Sequence, residues 1–257
     1  MPTLIDVSAV AGALIRAGLP WTSVSVVETT GSTNADLAAA ARSGARSGTV
    51  LLAGEQTAGR GRLARSWSSP PGTSLSMSFL LRPHRPDVAL LPLVAGLGAA
   101  RGLDRLGLAA RVKWPNDVLL AEKKVCGILA EIVADSAGPA VVVGMGVNVS
   151  QGIDDLPVPW ATSLRLAGAP VTRTEAATAV LTGVGEAVAA WSEGGWDVLA
   201  RAYADRSATL GREVRVELSE HEHVLGTAEG VAPDGRLQVR VGRQLRSFAA
   251  GDVHHLR

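Results

Sequence analysis

Cysteine is almost absent from this 257-residue chain, with Cys126 standing alone. One thiol cannot close an internal disulfide or build a thiolate metal site. Long apolar runs are missing too. No stretch reaches the roughly 18 residues that mark a membrane span. The start, Met1-Pro2-Thr3-Leu4-Ile5-Asp6, lacks the basic end and apolar core of a signal peptide. A cytoplasmic protein without a membrane partner is expected. Excess charge of either sign is missing as well: a net charge of +1 offers no basic field for nucleic acid. Before residue 210 the only histidine is His84, between Pro83 and Arg85, which makes a Ser-His-Asp triad implausible. No Gly-x-Ser-x-Gly run exists and no lysine follows a glycine, so a hydrolase elbow and a Walker loop are both excluded. What remains is globular, with 47% apolar and 19% charged residues.

Lysine is the most telling scarcity. There are three against 22 arginines, and Lys113, Lys123 and Lys124 fall within twelve positions. An ammonium is a compact point charge and a guanidinium a planar fork, so a chain that avoids lysine yet gathers three is read as needing ammonium there. Asparagine is equally rare: Asn34, Asn116 and Asn148. These residues sit in short runs beside glycines: Ser32-Thr33-Asn34, Lys113-Trp114-Pro115-Asn116-Asp117, Lys124-Val125-Cys126-Gly127-Ile128-Leu129 and Gly144-Met145-Gly146-Val147-Asn148. A fifth run is Gln56-Thr57-Ala58-Gly59-Arg60-Gly61-Arg62. Rare polar residues at the ends of apolar runs describe a ligand site built on strand ends and loops.

The periodicity predicts a helix over 6–17, a strand at 24–27 and a helix over 35–42 opened by Ser32 or Thr33. A strand at 49–53 leads into residues 55–73, a long loop without periodicity, of the kind that carries function. A strand at 74–81, a helix over 88–106, strands near 111–113, 118–121, 125–134 and 140–149, and helices over 174–192 and 195–206 follow. Near residue 210 the texture changes to short strands at Val214-Val216-Leu218, Val224-Leu225 and Leu237-Val239-Val241, with turns at Asp234-Gly235 and Gly242-Arg243. Two domains are expected, 1–208 and 209–257. The stretch Gly59-Arg60-Gly61-Arg62-Leu63-Ala64 mimics a dinucleotide fingerprint. That motif must open a helix, and Ser66-Trp67-Ser68-Ser69-Pro70-Pro71-Gly72 cannot form one. The glycines instead let backbone approach a ligand, and the arginines supply charge for phosphates.

The five runs, in this order and at this spacing, resemble the biotin protein ligases. The resemblance covers about residues 24–150, and the remainder fits the family's C-terminal part. It implies an α+β fold: a mixed-sheet catalytic domain of the biotin/lipoate ligase type with helices packed on the sheet, plus a small SH3-like β-barrel. It implies activation of biotin by ATP to biotinyl-5'-AMP, then transfer to a lysine of the biotin carboxyl carrier domain of an acyl-CoA carboxylase. ATP and biotin would be the substrates, with Mg²⁺. About 20 residues precede the first predicted strand, too few for a helix-turn-helix, so a ligase without repressor function is expected.

The chemistry suits the inventory. A carboxylate nucleophile is already ionised at neutral pH, so the demand is for cations that bring two anions together and stabilise phosphate oxygens. By resemblance Ser32, Thr33, Asn34 and Gln56 contact biotin, with Gly59, Arg60 and Gly127 lining its pocket. Lys124 bridges the biotin carboxylate and the α-phosphate, and Arg62 binds the adenylate phosphate. Trp67 stacks near adenine, and Asn116 and Asn148 contact the nucleotide, to which Arg60 also contributes. Lys113 and Asp117 are assigned to phosphate contact and to metal or lysine orientation. Blander readings stand beside these: Ser32 as a helix cap, Trp67 as packing at the loop base, Trp114 as core, Asn116 as a turn residue, Cys126 as a packed thiol and Glu122-Lys123 as an ordinary surface hairpin. No protein-only metal site is expected from His221, His223, His254 and His255. Residues 57–68 are expected to be mobile until an anionic adenylate orders them. The competing functions are a lipoate or octanoyl ligase or transferase of the same fold, and a non-catalytic biotin-binding protein.

Overall fold

A computed structural model describes residues 4–134, 138–219, 222–249 and 251–256. Helix α1 (Val7–Arg16) is capped by Asp6, whose carboxylate accepts from the Ala9 N–H at 3.0 Å. Strands β1 (Ser23–Thr30) and β2 (Thr49–Gln56) pair in parallel, so the chain must cross over between them, and α2 (Thr33–Arg42) makes that crossing. There follow β3 (Ser74–Leu81), α3 (Leu91–Asp104), β4 (Ala110–Lys113), β5 (Asp117–Leu120), β6 (Lys123–Val133), β7 (Ala140–Asn148), α4 (Arg173–Gly194) and α5 (Asp197–Arg206). The seven strands form one mixed sheet in the order β1-β2-β3-β7-β6-β5-β4. The helix predicted over 88–106 divides, because Pro92 suits a first helical turn: Val88–Leu90 is a 3-10 turn and α3 begins at Leu91.

Alternation along the central strands decides what each face of the sheet does. Leu75, Met77, Phe79 and Leu81 of β3, with Val141, Val143, Met145 and Val147 of β7, join the large core shared with α1, α3 and α4. The other face carries Ser74, Ser76 and Ser78 on β3, and Gly144 and Gly146 opposite Ser78 and Ser76 on β7. At one end of that face Leu51, Leu80 and Val142 pack on Leu37 and Ala41 of α2. Burying Leu37, 4% exposed, contributes about 2 kcal/mol to seating α2. The serines and glycines beyond α2 fill little volume and leave a trough.

The C-terminal strands β8 (Glu213–Glu217), β9 (His223–Val231), β10 (Leu237–Val241), β11 (Gln244–Phe248) and β12 (Asp252–His255) make a separate antiparallel sheet, ordered β11-β10-β9-β8-β12. It docks on the edge of the large sheet. The Ala208 N–H donates to the Val112 carbonyl at 2.7 Å, and the Trp114 indole N–H donates to the Gly235 carbonyl at 3.0 Å. The backbone around Ser207 thereby covers the β4 edge that would otherwise stay unpaired. The fold is α+β, as expected. Among the described residues no helix is long and apolar enough to cross a membrane, and no group of three or more His, Cys, Asp or Glu is placed to hold a metal ion. His221 lies outside the described residues.

Candidate active site

The trough holds a cavity of about 680 Å³. Its floor carries small residues on two neighbouring strands, Gly144 and Gly146 of β7 with Gly127 of β6 opposite Gly146. The Trp67 indole rests on this floor. A methyl group added at Gly146 would lie 2.2 Å from Trp67 Cε2, and one at Gly127 would lie 3.2 Å from Trp67 Cζ3. The indole N–H is buried without an acceptor, a donor left for a ligand to satisfy. The segment before Trp67 folds back on itself: the Gly61 N–H donates to the Arg65 carbonyl at 2.7 Å and the Trp67 N–H to the Gly59 carbonyl at 2.9 Å. The look-alike fingerprint opens no α-helix, only a 3-10 turn at Arg62–Ala64 with Leu63 at φ 54°.

One pole of the cavity is the N-terminus of α2. Ser32 occupies the cap position yet makes no capping hydrogen bond. Gln56 does that work: its Oε1 accepts from the Thr33 N–H at 2.8 Å and the Thr33 hydroxyl at 3.0 Å. The Ser32 hydroxyl and the Gln56 amide N–H₂ are thereby left for a ligand. Together with the positive end of the helix dipole they suit a carbonyl oxygen. Ser78 Oγ stands 2.7 Å from Thr33 Oγ1 and 2.6 Å from Asn34 Oδ1. Asn34 Nδ2 donates to Glu131 Oε2 at 2.6 Å, and Arg60 pairs with the same oxygen at 3.0 Å. The Asn34 amide lies flat against Gly144, where a methyl group would meet its Oδ1 at 2.1 Å.

The other pole is cationic. Arg60, Arg62, Arg65, Lys113, Lys124 and Arg212 line the cavity against Asp117, Glu122 and Asp252, in a chain whose net charge is only +1. Lys124 Nζ is 2.7 Å from Asp117 Oδ1 and 5.8 Å from the centre of the Trp67 ring. Burial pushes the Lys113 ammonium below its ordinary pKa and Lys124 adds to the fall, while Asp117 and Glu122 oppose it. Arg62 is also lowered, first by burial, although Asp117 favours its charge. Arg62 Nη1 donates to Asn116 Oδ1 at 3.2 Å and to the Gly251 carbonyl at 3.5 Å, and Arg65 pairs with Asp252. Burial, Lys113 and Arg212 lower the His255 pKa to about 4, so its ring is neutral at pH 7. Arg60, Arg62 and Arg65 also line a second cavity, of about 610 Å³, on the far side of their loop.

Most of the predicted site residues therefore meet around one cavity: Ser32, Thr33, Asn34, Gln56, Arg60, Arg62, Trp67, Lys113, Asn116, Asp117, Lys124 and Gly127. Two do not reach its wall. Asn148 is 5% exposed; its Nδ2 donates to the Thr162 carbonyl at 2.9 Å and its Oδ1 accepts from Gln151 at 3.1 Å. Each end of that amide makes one bond, so it braces the chain after β7. Gly59 is buried beneath the loop, against Gln56 and Trp67. Asn34 lines the cavity with an amide already engaged at both ends. Glu122 is no idle hairpin residue, because it pairs with Arg111 of β4 at 3.7 Å and, across to the C-terminal sheet, with Arg212 at 2.8 Å. Cys126 is 1% exposed, and burial pushes its thiol up to about 12. Sequence reasoning missed Ser78, Glu131, Arg65, Trp160, Arg212, Asp252 and His255. Trp160 carried a signal, a tryptophan closing the proline-flanked Pro157-Val158-Pro159, and it stands 63% exposed on the cavity rim.

Residues 26–148 match the Biotin/lipoate A/B protein ligase family, and residues 209–256 match the Biotin protein ligase C terminal domain. The chain is 39% identical to the biotin–acetyl-CoA-carboxylase ligase of Mycobacterium tuberculosis over 252 residues, 95% of this chain and 93% of that one. The chain belongs to the biotin protein ligase family. It is a ligase, and its C-terminal sheet is the family's SH3-like domain. The bifunctional ligase/repressor BirA of Bacillus subtilis is 40% identical over 121 residues, 46% of this chain and 37% of that protein. The structure of the biotin protein ligase from Aquifex aeolicus in complex with biotin and ATP superposes with a TM-score of 0.79 at 29% identity, covering 92% of this chain and 100% of that one. A lipoate or octanoyl enzyme is not favoured, since relatives matched over most of the chain are biotin ligases.

Proposed function

We propose that this ligase binds biotin with its ureido ring at the α2 pole and its carboxylate at Lys124. ATP then lies along the cationic pole. One observation carries the reading: the two poles share one cavity, and Lys124 of the cationic pole lies against Gly127 of its floor. A biotin carboxylate oxygen attacks the α-phosphorus, the bond to the bridging oxygen breaks, and pyrophosphate leaves with that electron pair. Lys124 offsets the repulsion between the two anions, while Arg62, held by Asn116, meets charge on the adenylate phosphate. Lys113 and Arg212 line the same pole and suit the departing pyrophosphate. Trp67 and the exposed Trp160 offer faces for adenine. A lysine amine of the acceptor then attacks the acyl carbon, AMP leaves, and an amide forms. Arg60 and the Trp67 side of the loop keep water from the anhydride in the interval.

The residues fit Mg²⁺ only as a companion of ATP. Asp117, Glu122 and Asp252 are each paired with a cation, so among the described residues these carboxylates form no oxygen cage. Asp117 is the carboxylate suited to contact it, and when bound the ion would neutralise phosphate charge. The acceptor is a biotin carboxyl carrier domain of an acyl-CoA carboxylase, as the mycobacterial relative's name supports, and the setting is the cytoplasm. Pyrophosphate release from Mg·ATP, measured with biotin and then with lipoate, tests the reading. Release with biotin alone is expected. Release with lipoate alone, or with neither acid, refutes it.

A further inference from the structure

Glu131 takes no part in the chemistry above, yet it stands where α2 and the loop that carries Arg60 meet. It projects from β6, and its Oε2 receives two donors at once: Asn34 Nδ2 at 2.6 Å from α2, and Arg60 Nη2 at 3.0 Å from the loop. Behind Asn34 the bonding continues without a break. Asn34 Oδ1 and Thr33 Oγ1 share the one hydroxyl hydrogen of Ser78, and Thr33 donates to Gln56. A chain of five contacts thus runs from the ureido pole, through Gln56, Thr33, Ser78, Asn34 and Glu131, to Arg60. Gly144 is part of it, because any side chain there would displace the Asn34 amide.

We infer that Glu131 is a positioning residue that ties Arg60, and with it the loop, to the ureido pole. The inference rests on the biotin reading of that pole. A carboxylate suits the position because one of its oxygens accepts from an amide and a guanidinium together and its charge matches the guanidinium. Glutamine could still accept from Asn34 through its carbonyl, but it would bring no charge to Arg60. Loss of that tie frees the loop from the wall that holds the Ser32 hydroxyl and the Gln56 amide, so it is felt first in the affinity for biotin.

The test uses the full chain, with Glu131→Gln, Arg60→Gln and the double variant, in the pyrophosphate-release assay. The Arg60–Glu131 pair is part-exposed at 49% and 31%. In Glu131→Gln its loss should therefore raise the KM for biotin by about fivefold, with the KM for ATP and kcat held within about twofold; Arg60→Gln also removes a cation from the cavity wall and is expected to lower kcat as well. The double variant should be no worse than the poorer single variant, since both remove the same pair. A merely structural role would instead move both KM values and the melting temperature together. An unchanged KM for biotin in Glu131→Gln, or a double variant whose loss is the product of the two singles, overturns the inference. Absence of biotin-dependent release in the wild-type chain overturns the biotin reading and this inference with it, so the two failures are distinct.

Discussion

Lys124→Ala should remove more transition-state stabilisation than any other single truncation in the cavity. Two unit charges about 4 Å apart at an effective dielectric near 20 interact by about 4 kcal/mol. Lys124 does not deliver all of that, because Asp117 already holds its ammonium at 2.7 Å and both side chains retain 28% and 21% exposure. Allowing roughly half to two-thirds leaves about 2–3 kcal/mol, or about 30- to 150-fold in kcat/KM for biotin activation. The variant also leaves the Asp117 carboxylate facing the substrate anions unpaired, so adding Asp117→Asn should recover part of the loss. Lys124→Arg should stay at least about tenfold below wild type, since a planar fork cannot replace a point charge. The space is also tight, with the Lys124 Cε and Nζ 3.0 Å from where a Gly127 Cβ would sit. Biotin-dependent pyrophosphate release is the assay, with biotin varied at saturating Mg·ATP. A Lys124→Ala chain within about threefold of wild type would refute the reasoning and put the charge compensation elsewhere, at Lys113 or Arg62.

Other expectations follow from the same geometry. Arg62→Gly removes the cation held by Asn116 and the Gly251 carbonyl, so the adenylate should escape at least about tenfold faster. The readout is biotinylation of bystander lysines on an unrelated protein, and strict acceptor selectivity would count against it. Gly146→Ala should drive the Trp67 indole off the floor, lowering biotin-dependent activity about tenfold while the melting temperature falls by only a few degrees; full activity would mean that the indole leaves the floor during turnover anyway. The His255 pKa is depressed to about 4 by burial first, then by Lys113 and Arg212. A histidine held neutral in the fold contributes stability that is complete above its unfolded pKa, near 6.5, and lost as pH falls towards 4. Discounted for its part-exposed ring, the loss by pH 5 is about 1 kcal/mol. Denaturant midpoints of wild type and His255→Asn at pH 7 and pH 5 measure it, and parallel pH dependence in the two chains would exclude the effect.

What the sequence disclosed and what it withheld divide along a physical line. Elements whose pattern is local were legible: β3 at Ser74–Leu81 falls where the alternation puts it, and α2 begins beside the predicted cap. The strands β11 and β12 escaped individual prediction because Gln244–Arg246 and Ser247 are exposed on every side and Asp252–His255 spans only four residues, so neither carries an inside-outside alternation to read. The lysines and glycine-flanked motifs were legible as a site, but not the reason for each glycine. Gly144 is required by Asn34 and Gly146 by Trp67, and both partners lie more than 75 positions away. Asn148 shows the converse, a motif residue whose amide the fold spends on Thr162 and Gln151. Least legible were the contributions of the C-terminal sheet. Arg65–Asp252 and Arg212–Glu122 exist only because Trp114 and the backbone near Ala208 dock that sheet against β4. No window of sequence contains both partners of either pair. The cavity is therefore shared between the two sheets: Asp252 and Glu122 each take a cation from across the junction, and any change that loosens the docking of Trp114 on Gly235 should weaken the Arg65–Asp252 and Arg212–Glu122 pairs together.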